Sequence, residues 1–203
     1  MHPNLSRRFF LRGSALTTAG AAMIDAVSAV LSRAEGSESD SAPTVGPDAA
    51  PVTLTVNGAA RTLAVEPRMT LVEALRGPLG LTGTKIACNR GACSACTVWL
   101  DGAPVCACMI LAVDVGQRKV TTIEGLAQDG ALHAVQEAFI AHDALQCGFC
   151  TPGLVMSCAA LLERTPDPSV EDVQVAIGGH FCRCGTYPKV VAATLAAAKA
   201  RKA

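Results

Sequence analysis

At 203 residues, half of them hydrophobic, the chain has room for one to two domains with cores of their own. Its 17 lysines and arginines balance its 17 aspartates and glutamates, which argues against a nucleic-acid partner held by bulk charge. Ten cysteines point either to disulfides in an exported protein or to metal ligation.

The chain opens with Ser6-Arg7-Arg8-Phe9-Phe10-Leu11-Arg12, a twin-arginine export pattern, and continues in an apolar stretch to about Leu31. That stretch is rich in Ala, Thr and Gly and is interrupted by Asp25, too weak a pattern for a membrane span. Cleavage is expected after Ala29 or Ala34, so residues 1–34 read as a signal peptide and the mature chain as periplasmic. Losing it removes four arginines and one aspartate, leaving a slight acidic excess. Residues 35–51, rich in Ser, Pro, Gly and Ala, read as a flexible tether.

From Val52 apolar residues alternate: Val52, Leu54 and Val56 share a face, Asn57-Gly58 turns the chain, and Leu63 and Val65 return. Thr70-Leu71-Val72-Glu73 has the form of a capping box opening a short helix that stops at Gly77-Pro78. A cysteine-rich loop follows, then Thr97-Val98-Trp99-Leu100, an Asp101-Gly102 turn, and strand-like runs ending near Ile123. Alternation and turns alone predict a small α+β domain over 52–125.

Beyond Gly125 the period lengthens to that of a helix. Four stripes succeed one another: Leu132, Val135, Phe139; Leu154, Cys158, Leu161, Leu162; Val170, Val173, Ile177; and Val190, Val191, Thr194, Leu195. Amphipathic helices around one core are expected over 126–203, making a four-helix bundle. Thr151 is the candidate N-cap of the second, with Pro152 in its first turn, and the fourth is expected to begin around Pro188.

The cysteines fall into two sets. In the first, Cys88, Cys93 and Cys96 are separated by four and then two residues, the plant-type 2Fe–2S ferredoxin spacing. Either Cys106 or Cys108 can supply a fourth thiolate. In the second, Gln146-Cys147-Gly148-Phe149-Cys150 is paired with the distant Cys182-Arg183-Cys184. Four thiolates suit a 2Fe–2S cluster or a closed zinc site. Cysteines just before helix N-termini suit a negatively charged cluster, which would meet unpaired amides and positive dipole ends. Cys158 reads as a small core residue. His133, His142 and His180 share no ligand spacing and read as surface or helix-end residues, Lys85 as a loop-fixing one. No catalytic residue, phosphate-binding loop or substrate site stands out.

Thr82-Gly83-Thr84-Lys85, the two cysteine sets and Cys182-Arg183-Cys184-Gly185-Thr186-Tyr187-Pro188 resemble the iron–sulfur subunit of the xanthine dehydrogenase family of molybdenum hydroxylases, over residues 52–198. The resemblance implies a β-grasp 2Fe–2S ferredoxin domain followed by a four-helix-bundle 2Fe–2S domain, and it selects Cys108 as fourth ligand of the first cluster. Cys147, Cys150, Cys182 and Cys184 would hold the second. Ala87 and Ser94 stand where the family has glycine, implying mild strain if their φ is positive. The implied partner is a large subunit whose molybdopterin cofactor lies against Gln146 and Cys184 and which oxidises an aldehyde or N-heteroaromatic ring. The implied acceptor is a flavin (FAD) subunit or a cytochrome c, and the Cys-Arg-Cys-Gly-Thr-Tyr-Pro form points to the branch with isoquinoline oxidoreductase-like and aldehyde dehydrogenases. Export of a folded chain fits clusters assembled in the cytoplasm. A stand-alone periplasmic carrier and a zinc-stabilised adaptor are the alternatives.

Overall fold

A computed structural model describes residues 46–201; the twin-arginine leader and most of the tether lie outside the described residues. The strand β1 (Ala50–Val56) begins two residues inside the segment expected to be tether, because Ala50 and Pro51 already pair with the returning strand β2 (Ala59–Val65). Asn57 and Gly58 turn the hairpin with φ of 50° and 78°, the pair of left-handed residues that a tight hairpin turn requires. Helix α1 (Leu71–Arg76) follows, and the expected capping box is present: the Glu73 amide donates to the Thr70 hydroxyl while the Thr70 amide donates to the Glu73 carboxylate. Strands β3 (Thr97–Leu100), β4 (Ala103–Cys106) and β5 (Lys119–Thr121) complete a five-stranded sheet in the order β2-β1-β5-β3-β4. Its pairings are antiparallel except β1 with β5. Leu54, Val56, Leu63 and Val65 face a core shared with Leu71, Val72 and Leu75 of α1, as the alternation predicts.

Four longer helices come next: α2 (Ala134–Ala141), α3 (Thr151–Arg164), α4 (Val170–Ile177) and α5 (Tyr187–Ala200). They pack around a second core built on Val135, Phe139, Leu154, Cys158, Leu162, Ile177 and Val190. Several expectations need correction. Leu132 is exposed and precedes the α2 N-cap, which is His133, and Val170 at the start of α4 is exposed too. Cys150 rather than Thr151 is the N-cap of α3. The helix α3 is not amphipathic: every residue from Gly153 to Leu162 is buried, because the other helices cover one side and β3 and β4 the other. A helix enclosed all round needs no polar face.

The two cores belong to one compact unit, and three of the contacts between them show how it closes. The Trp99 indole, on β3, donates to the Met156 carbonyl of α3 at 2.9 Å. The Phe181 amide donates to the Cys93 carbonyl at 3.3 Å. Gly153 lies so close to the first cysteine loop that a Cβ there would sit 2.4 Å from the Ser94 carbonyl oxygen. No helix among the described residues is long and apolar enough to cross a membrane.

Candidate metal centres

The loop between α1 and β3 bends at Asn89, Gly91 and Ser94, with φ of 51°, 71° and 54°. Ser94 therefore carries the strain expected of it, whereas Ala87 is not in the left-handed region. The bends turn backbone amides toward sulfur: Arg90 and Ala92 donate to Cys88 Sγ at 3.5 and 3.3 Å, and Gly91 donates to Cys108 Sγ at 3.2 Å. Glycine at 91 also leaves space for Met109, whose Cγ would be 3.0 Å from an added Cβ. Below the loop, Arg76 of α1 donates to the carbonyls of Thr82 and Thr84 at 2.7 and 2.8 Å, and the Lys85 ammonium to that of Thr82 at 2.7 Å. Lys85 thus fixes the loop, as expected; Arg76, one helical turn from any motif residue, escapes sequence reasoning.

The thiols act on one another two by two: Cys93 is the thiol that helps to lower Cys88, and Cys108, which follows β4, is the thiol that acts most on Cys96. Amide donation, the Arg90 amide foremost, lowers the Cys88 thiol to about 7, while burial pushes Cys96 up to about 12. Cys106 is half-buried beside the Ser94 hydroxyl at 3.7 Å. It adjoins the group without belonging to either pair.

The second set repeats the arrangement with partners from distant segments: Cys147 is the neighbour that acts most on Cys184, and Cys182 is the thiol that acts most on Cys150 at the start of α3. Burial pushes Cys150 up to about 12. At Cys182 burial acts in the same direction but is outweighed by Thr186, Cys150 and the Cys184 amide, which bring it to about 7. The Cys182 amide donates to the Tyr187 hydroxyl at 2.7 Å, and that hydroxyl donates to the His180 carbonyl at 2.9 Å. The His180 ring is buried, not superficial, and lies 2.7 Å from the Ser157 hydroxyl of α3; burial drives its pKa down to about 4 and keeps it neutral. Ser157 and Tyr187 thus pin the Cys182 segment onto α3 and α5, a support that no spacing rule announces. His133 and His142 cap the two ends of α2, as helix-end residues should. Cys158 is fully buried in the core.

Gln146 and Cys184 line one cavity of about 510 Å³ with Leu145, Gly185, Thr186, Pro188 and the Asp143–Lys189 ion pair. The two residues expected to face a bound cofactor of a partner are thus neighbours, although 38 positions separate them.

Among the described residues no three ligating side chains gather about a single point; the thiols come in twos. A 2Fe–2S cluster has that requirement, two thiolates for each of two irons, and the amides aimed at Cys88 and Cys108 are the donors such sulfurs accept. The residues present fit the group.

Comparison with known proteins agrees. Residues 122–195 match the [2Fe-2S] binding domain family. The chain is 47% identical over 148 residues to the nicotine 6-hydroxylase small subunit of Paenarthrobacter nicotinovorans, covering 73% of this chain and 89% of that one. It is 37% identical over 205 residues to the aldehyde oxidoreductase iron-sulfur-binding subunit of Escherichia coli, covering 94% and 86%. Among solved structures, quinoline 2-oxidoreductase from Pseudomonas putida 86 superposes with a TM-score of 0.73 at 42% identity, over 76% of this chain and 97% of that one. With paired cysteines, fold and sequence in agreement, the chain belongs to the iron–sulfur subunits of the xanthine dehydrogenase family of molybdenum hydroxylases.

Proposed function

We propose that the chain is the electron-transfer subunit of a molybdenum hydroxylase complex and holds two 2Fe–2S clusters. A β-grasp ferredoxin domain (52–125) carries Cys88, Cys93, Cys96 and Cys108, and a four-helix-bundle domain (126–203) carries Cys147, Cys150, Cys182 and Cys184. The observation that carries this reading is the set of donors turned toward sulfur, the Arg90, Ala92 and Gly91 amides on Cys88 and Cys108 and the Thr186 hydroxyl beside Cys182. When bound, each cluster supplies a site that takes up and gives back one electron. The protein's task is to hold the sulfurs at fixed separation, exclude reorganisation, and bring the two sites together. The Phe181–Cys93 hydrogen bond serves that last purpose, since it joins the residue beside one Cys182 ligand to the backbone of another ligand.

The partner is a molybdopterin-binding large subunit that oxidises an aldehyde or an N-heteroaromatic ring. Relatives named for nicotine, nicotinate, quinoline and aldehyde chemistry support that class. Gln146 and Cys184, on their shared cavity, face the partner's cofactor. Electrons leave to an FAD subunit or a cytochrome c. The twin-arginine pattern at Arg7 and Arg8 supports a periplasmic mature chain, where a cytochrome c is the better acceptor because nicotinamide cofactors are scarce.

The test is to purify the chain from its native host and analyse what accompanies it. Four irons per chain, two EPR signals on reduction and a co-purifying molybdenum-containing large chain are expected. In that complex Cys184→Ser should abolish substrate turnover and remove one EPR signal while the other persists. Turnover at the wild-type rate would refute the assignment, and an iron-loaded chain that never associates with a molybdenum protein would be a stand-alone carrier.

A further inference from the structure

Thr186 occupies the N-cap of α5, the position where a threonine hydroxyl ordinarily accepts a backbone amide. Here it makes no capping bond. Its hydroxyl lies instead 3.3 Å from Cys182 Sγ. Gly185, at φ of 75°, provides the reversal that folds Thr186 back over the sulfur. The Cys182 amide is fixed by Tyr187, so the segment that carries the sulfur is held in place as the hydroxyl approaches.

This arrangement has no counterpart in the first set. The donors to Cys88 and Cys108 there are backbone amides, which no side-chain replacement removes. The other hydroxyls near sulfur serve cysteines outside the two sets, Ser94 beside Cys106 and Thr194 beside Cys158. A helix start has thus given up its own cap to place an O–H on one sulfur.

We propose that the Thr186 hydroxyl raises the reduction potential of the centre held by Cys147, Cys150, Cys182 and Cys184, and that it does so selectively. The inference rests on the cluster-binding reading above. A metal-bound thiolate carries no proton, so the hydroxyl is the donor. Reduction adds one negative charge to a group that is already anionic, and a hydrogen bond to its sulfur stabilises the reduced state more than the oxidised one. Thr186 also lines the cavity shared by Gln146 and Cys184, so it would set electron affinity on the side that faces the partner. Thr186 is a tuning and positioning residue; it touches no substrate.

The experiment is an EPR-monitored redox titration of the purified complex, comparing wild type with Thr186→Val and Thr186→Ser. Valine keeps the shape and removes the O–H, whereas serine keeps the O–H. In the valine variant the midpoint of one iron–sulfur signal should fall until its reduced-to-oxidised ratio at a fixed potential is about tenfold lower, or about 59 mV for one electron. The other signal should stay where it is, and serine should restore the wild-type value. Thr186→Ala provides the same deletion without the valine branch if valine costs iron. Unmoved midpoints in an iron-replete valine or alanine variant, equal movement of both signals, or a serine variant that behaves like valine would overturn the proposal. If wild type shows no 2Fe–2S signal, the functional reading itself fails, a result distinct from two signals with unmoved midpoints.

Discussion

Cys106 and Cys108 show how a two-residue difference separates a proposed ligand from a neighbouring thiol. Both cysteines have the parity to face the same way, so spacing alone leaves them open. Cys108 ends up under the Gly91 amide, with a 3.2 Å bond to its sulfur. Cys106 ends β4, with the Ser94 hydroxyl for its neighbour. Cys108→Ser should therefore cost the chain its first centre, seen as loss of two of four irons and of one EPR signal. Cys106→Ser should retain both. The types and spacing of the candidate ligands are visible in the chain, where closely spaced thiols bring their sulfurs to one loop. Which thiol acts on which is not. The Cys147–Cys184 and Cys150–Cys182 pairs depend on how α3 and α5 are set against each other, and no local pattern encodes that. The same holds for His180, whose burial against Ser157 is a tertiary event 23 residues apart.

Among the elements, short helices depend most on their ends, because a single turn or two of backbone bonding does not repay nucleation. The helix α1 has six residues, and the Thr70–Glu73 capping box supplies three hydrogen bonds at its start. Thr70→Ala should destabilise the chain by about 1 kcal/mol, measured by urea unfolding at neutral pH. Those bonds hold the Glu73 carboxyl below its ordinary value of 4.5, with the Thr70 amide as the main cause. A depressed carboxylate pKa means that the unfolded chain takes up the proton first as pH falls. The contribution is accordingly complete above about pH 4.5 and is lost as pH drops through the folded value. The stability gap between wild type and Glu73→Gln should narrow over that interval, and a gap constant with pH would contradict the assignment. Capping boxes and the Asn57-Gly58 turn are visible in sequence because each is a local competition among neighbouring groups. The position of the α3 N-cap was not, because Cys150, one residue before Thr151, takes it without a side-chain capping bond. Nor was the full enclosure of α3, which arises from a sheet formed much earlier in the chain.

For the molecule as a whole, what matters is the seam between the sheet core and the helical core. Gly153 allows α3 to start against the Ser94 carbonyl, and any larger residue would meet backbone rather than a yielding side chain. Gly153→Ala should lower stability by about 1–3 kcal/mol, the usual cost of overpacking, read as an earlier urea midpoint with iron content unchanged. A variant as stable as wild type would mean that the seam gives way easily. Length and composition could announce two cores, but not that they share a wall, because the contacts across it include a glycine, a peptide amide and an indole nitrogen.

That indole belongs to the protein's sole tryptophan. Trp99 starts on the sheet, packs against the helical core and hands its N–H to Met156. The chain therefore carries a natural fluorophore at its seam, three residues beyond Cys96, one of the proposed ligands of a light-absorbing iron centre. Brightening would report departure of the metal, and a shift of emission to longer wavelength would report water entering between the halves, so one optical trace could follow the two events separately.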